Sequence, residues 1–447
     1  MTHWPSETPR MDSTALNLCC FFRRWVASSC FLAVFLSLAS TPLRGESTNK
    51  RMIIPGARAQ ALAGAFTAVA DDASAGWHNP AGLGYLKGPG VSVSVNNYTR
   101  SHKETSGVAA NMDLAENSAS IYPGFAGTHT NLGPLAIGWS YFTLEQQNTD
   151  ESQTLNISNS GYLRGNGYPM TAESSFQYDR AELTTGNLIH AGASLSLALS
   201  RNISIGLSEF YYLRQKQTNL KERSTFDTGV FYDSFSRMST RNEGTISVAG
   251  MLIRGGNLSL GLSVRIPRAL SDNTNYETST IIYTGSSPEL SSDTVLTHRE
   301  DELTMRTWDL GVAWAPIDGT LISADLTHYP ATKTLWANSG GFDTRDVTDW
   351  SLGLEVRSST LVLAGGAFTN SSLAQAPIPS LTIAPPGQIN FVGFTTALGV
   401  RTRQSENLFI MVRQKGRGKT QMVQGDLRLQ DLTIETQSFS LSSSYKF

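Results

Sequence analysis

Apolar residues recur at every second position along most of this chain, yet after residue 45 no stretch of about 18 apolar residues is long enough to cross a bilayer as a helix. Val91, Val93 and Val95 share one face; so do Leu195, Leu197 and Leu199, then Ile203, Ile205 and Leu207. The series continues with Leu258, Leu260, Leu262, Val264 and Ile266, with Leu310, Val312 and Trp314, with Leu352, Leu354 and Val356, and with Leu408, Ile410 and Val412. Ser, Gly, Thr, Ala and charged residues fill most of the positions between. Strands with one greasy face and one small or polar face form a wall between lipid and a wet or plugged lumen. Strands are predicted near 90–98, 116–124, 134–145, 188–199, 201–215, 243–253, 256–267, 302–315, 318–329, 347–356, 359–368, 388–401, 405–415 and 431–446. That is about 14, an even number, and the expected fold class is all-β: an antiparallel transmembrane β-barrel.

The connections support a membrane orientation. Ser200-Arg201-Asn202, Arg254-Gly255-Gly256-Asn257, Ile317-Asp318-Gly319-Thr320, Arg357-Ser358-Ser359-Thr360 and Gln404-Ser405-Glu406-Asn407 read as tight turns, all after even-numbered strands. Connections after odd-numbered strands are longer: 146–187, 216–242, 268–301, 330–346, 370–387 and 416–430. Short turns on one side and long loops on the other match the periplasmic and outer sides of outer-membrane barrels. The last strand alternates Phe439, Leu441, Ser443, Tyr445, Phe447, which resembles the signature read by the outer-membrane assembly machinery. Phe210, Tyr211, Tyr212, Trp308, Trp314 and Tyr329, near strand ends, suit interfacial girdles. A soluble propeller or sandwich is the alternative home for alternating strands and aromatics.

Arg23 and Arg24 precede an apolar run from Trp25 to Leu38, which fits a cleaved export signal over residues 1–45; a retained anchor is the alternative. Cys19, Cys20 and Cys30 all lie inside it, so the exported chain would hold no thiol. Residues 46–88 are then expected to form a plug, or hatch, and residues 89–447 the barrel, placing the protein in a bacterial outer membrane among its lipids, as a monomer. A formal net charge of -2 gives no basis for nucleic-acid binding.

Residues 56–84 differ from all that follows. Ten of these 29 residues are Ala and five are Gly, and they do not alternate. Asp71 or Asp72 is expected to cap a short helix over Ala73 to Trp77, ended by Asn79-Pro80. Small residues suit a segment threaded through a lumen, while a free linker would not carry Phe66, Val69, Trp77 and Leu83. The string from Gly56-Ala57-Arg58-Ala59 through Gly64-Ala65-Phe66 and Asp71-Asp72 to Trp77-His78-Asn79-Pro80-Ala81-Gly82-Leu83 resembles the N-terminal hatch of the FadL family, outer-membrane transporters of long-chain fatty acids and aromatic hydrocarbons. It is similar to the hatch of members found in spirochaetes, and also to that of PorV-like barrels, which serve a protein secretion system. The resemblance is specific over about 30 residues and architectural elsewhere. It implies Asn79, Pro80 and Ala81 as the hatch motif, with Phe66, Val69, Trp77, His78 and Leu83 as candidate lumen or ligand contacts. It implies passive transport in which a hydrophobic ligand binds in the lumen and leaves sideways into the bilayer. It implies no particular residues for a ligand carboxylate.

Two Pro-Gly pairs, Pro123-Gly124 and Gly133-Pro134, fall in or beside strands two and three. Proline donates no ladder hydrogen bond, so a lateral opening is expected beside them, unless both pairs occupy the turn between those strands. The run Arg413, Lys415, Arg417, Lys419 ends an outer strand and faces either anionic headgroups or water. There is no nucleophile elbow, phosphate loop, HExxH or paired-cysteine motif, so neither an enzyme nor a metal or cofactor is expected. Three functions stand in order: a passive transporter of hydrophobic small molecules such as long-chain fatty acids, a partner of a secretion or surface-assembly system, and a surface protein whose loops contact host or environment.

Overall fold

The computed structural model describes residues 49–108, 112–157, 176–226, 231–283, 288–298, 306–332, 344–378, 387–420 and 429–447; the expected export signal lies outside these residues. Among the described residues, sixteen strand segments form one closed antiparallel barrel of 14 staves. They are β1 (Gly90–Val108), β2 (Met112–Tyr122), β3 (Phe125–Leu132), β4 (Leu135–Ile157), β5 (Phe176–Ala198), β6 (Ile203–Phe226), β7 (Phe231–Gly255), β8 (Leu258–Tyr283), β9 (Pro288–His298), β10 (Thr307–Trp314), β11 (Thr320–Tyr329), β12 (Val347–Arg357), β13 (Leu361–Asn370), β14 (Gln388–Arg401), β15 (Ser405–Thr420) and β16 (Gln430–Lys446). Two staves consist of two segments in line: β2 and β3 against β1, and β9 and β10 against β8. The wall closes where β16 meets β1, with Val91 opposite Tyr445 and Ser94 opposite Ser442. Closure satisfies backbone groups that lipid would leave bare. No helix among the described residues is long and apolar enough to span a membrane.

Alternation sets which side each residue takes. On β12, Trp350, Leu352, Leu354 and Val356 face out while Asp349, Ser351, Gly353 and Glu355 are buried inside. Trp308 and Trp314 end the outward row of β10, with Leu310 and Val312 between them, as interfacial rings would. Two expectations are corrected here. Leu408, Ile410 and Val412 face the lumen, and Phe409 and Met411 carry the lipid side of β15. Phe210, Tyr212 and Tyr329 also point inward, leaving Tyr211, Trp308 and Trp314 as outer aromatics. A lumen that holds a plug can be as apolar as lipid, so alternation gives two faces without saying which is outside.

Several long connections are largely strand. β4 and β5 stay paired up to Ile157 opposite Phe176, and β6 and β7 up to Thr225 opposite Phe231. Above the apolar band both faces of a strand meet polar surroundings, so Ser, Thr, Asn and Gln occupy both and the period-two signal fades, although Thr still suits a ladder.

From Asn49 to Leu86 the chain packs inside the barrel near its short-turn end, with α1 (Ala57–Ala61), α2 (Ala75–His78) and a 3₁₀ turn (Pro80–Tyr85). The wall makes room with small inward residues. A Cβ on Gly206 would lie 2.4 Å from the Ala81 nitrogen, and one on Gly250 2.1 Å from the Asn79 Oδ1.

Candidate functional site

Side chains at many points fasten the plug to the wall, among them Asn49 to Asn370 O, Ser208 to Gly76 O and Thr395 to Ala61 O, and three ties involve Arg58, Asp325 and Asn79. Arg58 of α1 donates to Glu355 from Nε at 2.9 Å and Nη2 at 2.7 Å, and its Nη1 pairs with Asp71 of the plug. Glu355 is also held by Arg357, which reaches Glu406 at 3.2 Å. Asp325 accepts the backbone N–H groups of Phe66 and Thr67 at 2.9 and 2.8 Å. Asn79 donates to Thr67 O within the plug at 2.8 Å and to Met251 O of the wall at 3.0 Å, while its Oδ1 accepts from Ala81 N. Its extended backbone, φ -161° and ψ 97°, ends α2 before Pro80 begins the 3₁₀ turn.

The expected helix cap is replaced by two separate roles. Asp72 Oδ1 accepts from both the N–H and the hydroxyl of Ser74, a local turn, and Asp71 joins the Arg58 network. Arg58 forms the anchor that sequence reasoning overlooked. Its place two residues after Gly56 carries no signal until Glu355, 297 positions away, is brought beside it.

The five candidate lumen contacts separate. Trp77 enters an aromatic cluster with Phe125, Phe142, Leu188, Phe210, Tyr212, Ile246 and Val248 of the wall. Its ring meets Phe142 edge-on at 4.9 Å and Phe210 at 5.7 Å, and lies 5.3 Å from His190. Phe142 and His190 stack at 5.1 Å. Such pairs add about 0.5–1.5 kcal/mol each to area burial. Arg265 sits over the Trp77 ring, 5.0 Å from its centre, and pairs with Asp309 at 3.0 Å. Phe66 and Val69 instead pack with Ile54, Ala59, Leu62 and Ala68 of the plug and with Ala313 of the wall. His78 meets Phe66 edge-on and donates from Nε2 to Pro55 O at 2.9 Å, and Leu83 packs on Ala136. Burial holds the His78 imidazole at about 3, and the nearby charges of Arg265 and Arg51 act in the same direction. Phe210 and Tyr212 escaped the sequence reading as lumen residues because aromatics near strand ends suggest girdles, and Phe142 carried no signal that singled it out.

The wall changes character beside this cluster. β2 ends at Tyr122 and β3 begins at Phe125, so Pro123-Gly124 interrupts the ladder within one stave. β3 pairs with β4 from Leu132 opposite Leu135 up to Phe125 opposite Phe142, and Thr143 N still reaches Gly124 O at 3.3 Å. Above that point, among the described residues, β4 pairs with β5 alone, with a bulge between Thr143 and Glu145, and β2 pairs with β1 alone. A seam without a ladder therefore runs upward between β2 and β4. Side chains cross it: Gln153 donates to Ala115 O at 2.9 Å, and Arg180 of β5 reaches Glu116 of β2 at 3.2 Å. Gly133-Pro134 lies elsewhere, in the two-residue turn between β3 and β4, where Gly133 adopts φ 65°. Of the two pairs expected beside an opening, Gly133-Pro134 only reverses the chain, and Pro123-Gly124 alone interrupts a ladder.

In overall shape the chain is similar to a Pseudomonas aeruginosa FadL homologue, with a TM-score of 0.58 and 12% identity over 88% of this chain and 98% of that one. It is similar to the P. putida toluene transporter TodX (TM-score 0.58, 12% identity, 87% and 97% covered) and to the CymD monoaromatic hydrocarbon channel (0.52, 12%, 89% and 98%). No family model matches the sequence, and no curated protein does. The likeness is one of fold, over nearly the whole length of each chain.

Proposed function

We propose that this protein is a passive outer-membrane transporter of hydrophobic small molecules, long-chain fatty acids among them, and not an enzyme. One observation carries the reading: an aromatic cluster inside the barrel lies directly beside an unladdered seam in the wall, and Phe125 belongs to both. The similar structures bear the names of a toluene transporter and a monoaromatic hydrocarbon channel, which supports the same use of this fold.

The steps follow from where grease is stable. A ligand entering from the outer end meets Trp77 already seated among Phe142, Phe210 and His190. Trp77 fills the place a ligand needs, so binding displaces the ring and with it Arg265 and α2. The ligand then moves past Phe125 into the seam between β2 and β4. Exit into lipid is favourable by about 0.8 kcal/mol per CH2, whereas exit into the periplasm would expose the molecule to water. No energy source is required.

The test is uptake of a labelled fatty acid into liposomes holding the purified protein or its Asn79→Ala variant, which lacks the tie to Met251 O. Uptake faster than in protein-free liposomes, and altered by the substitution, is expected. Rates equal to protein-free liposomes for both proteins would remove the transport reading.

A further inference from the structure

The basic run that ends β15 belongs to a strand and faces outward. Arg413 is 56% exposed, Lys415 50% and Lys419 59%, and Arg417 is exposed between them. The same face of β15 carries Phe409 and Met411 immediately below, so the cations continue the lipid-facing row upward. On one side β16 and β1 carry the same boundary, whereas on β14 the outward Phe394 and Val392 lie opposite Arg413 and Lys415. Met411 stands opposite Phe439 of β16, which stands opposite Tyr98 of β1, an apolar and aromatic row. One step higher Arg413, Gln437 and Arg100 align across the three strands, then Lys415, Glu435 and His102, then Arg417, Thr433 and Glu104. The change from apolar to polar and charged residues thus falls at one register level over these three staves, with the cations on β15 and β1.

Side chains in that position face neither lumen nor bulk water; on the outside of a membrane wall, just above its aromatic row, the adjacent material is lipid headgroup. Five cations, Arg100 included, face three carboxylates there, Glu435, Asp431 and Glu104, so positive charge remains in excess. Glu435 takes Arg413 at 2.6 Å and Lys415 at 3.9 Å, and Asp431 takes Lys419 at 3.8 Å. Positions two apart on a strand are separated by about 6.7 Å, so Arg413 to Arg417 spans about 13 Å, and Arg100 lies about 10 Å to the side. Three guanidinium forks, of Arg413, Arg417 and Arg100, and the ammonium groups of Lys415 and Lys419 match a headgroup bearing more than one phosphate, since a guanidinium grips phosphate oxygens in pairs.

We propose that the outer face of β15, β16 and β1 binds the phosphorylated sugar headgroup of an outer-leaflet glycolipid, through Arg413, Lys415, Arg417, Lys419 and Arg100. The site is separate from the lumen and independent of any cargo. It rests on the long-strand end of the barrel being the outer end.

The test uses the full-length purified protein in detergent, incubated with equal amounts of a bisphosphorylated glucosamine lipid and phosphatidylglycerol and examined by native mass spectrometry. The variants are R413Q/K415Q/R417Q/K419Q, the milder K415Q/R417Q, and a control, R201Q/R403Q, at short turns of the opposite end. Each cation near an anionic lipid surface is worth about fivefold in affinity. Wild type and control should retain the glycolipid in preference to phosphatidylglycerol, and the quadruple variant should lose it by about tenfold or more, with the double variant intermediate. Retention unchanged in both variants, or wild-type binding that favours phosphatidylglycerol, overturns the proposal. The second outcome would place this face in the inner leaflet and leaves transport through the lumen to be judged by uptake. If the quadruple variant fails to fold, the double variant decides.

Discussion

Phe125 and Phe142 are the uppermost register pair between β3 and β4, and their rings stack 6.3 Å apart inside the barrel. One pair of residues therefore ends the ladder and begins the aromatic cluster. A ligand lying against Phe142 needs only to pass Phe125 to reach the seam, and this proximity gives the account its first expected outcome.

Trp77→Ala should improve binding. Removing the indole empties a site walled by Phe142, Phe210 and His190, and an apolar cavity of that kind stays dry and accepts small aromatics. The variant should bind a fluorescent naphthalene derivative about tenfold more tightly, a gain of about 1.4 kcal/mol. The lost packing should meanwhile cost about 3–5 kcal/mol of stability. Titration of the probe against refolded wild type and variant measures the first effect. Weaker binding would make Trp77 a ligand contact instead of an occupant of the site.

Loss of the Arg58 anchor should loosen the plug. Arg58→Ala leaves Glu355, with a side chain only 2% exposed, without the partner that donates two hydrogen bonds to it, and breaking one side of a buried ion pair costs about 3–5 kcal/mol. Arg357 still faces Glu355 and should reduce that figure. Hydrogen exchange of the amides from Ala57 to Leu83 should speed up in the variant while exchange in the β6–β7 ladder stays unchanged. Equal protection of the plug in both proteins would count against the anchor.

Gly206→Ala tests how closely plug and wall approach. The added methyl would meet backbone atoms of Pro80 and Ala81, which cannot turn aside as a side chain can. Overpacking of this kind costs about 1–3 kcal/mol, and the temperature at which the folded barrel loses its fast mobility on unheated gels should fall. Gly255→Ala, where a Cβ meets nothing within 4 Å, should leave it unchanged.

Acid should favour release of the plug. Buried His78 is held at about 3, against about 6.5 when solvated, so the neutral ring favours the seated plug fully above pH 6.5, and that contribution is lost progressively as the pH falls toward 3. Burial would raise the Asp71 carboxyl, but the charges of Arg58 and Arg357 outweigh it and hold the group below its ordinary value. Its contribution is present above the ordinary carboxylate range and is lost below it, in the same direction. Burial raises the neighbouring Asp72 carboxyl, which works the other way, so the His78 part is read by substitution: single-channel leak should rise more from pH 7 to pH 4 in the wild type than in His78→Phe. An equal or larger rise in His78→Phe would reject the role of His78.

The staves were open to sequence reasoning because lipid outside and small residues inside impose period two on residues such as Leu352, Leu354 and Val356. The limits have physical causes. Above the membrane both faces are polar, so the strand through Gln146 to Ile157 carries no alternation to detect. Inside, the plug makes part of the lumen apolar, so Leu408 and Ile410 look lipid-facing without being so. At the site, Asn79-Pro80 and Trp77 stand out within one short string, while Arg58 and Glu355 become partners only through closure of the barrel. Pro123-Gly124 and Gly133-Pro134 look equivalent in one dimension. They differ because one pair sits inside a stave and the other where the chain reverses.

The central claim is that cargo leaves through the seam between β2 and β4. Ala115 and Gln153 touch across it, and the expected exported chain holds no other cysteine, so Ala115→Cys/Gln153→Cys can be bridged with a short bis-maleimide and compared with the same variant capped singly. Fatty-acid uptake into liposomes is predicted to drop at least about tenfold on bridging, the equivalent of about 1.4 kcal/mol on the barrier, and to persist on single capping. Undiminished uptake by the bridged barrel would contradict exit through the seam.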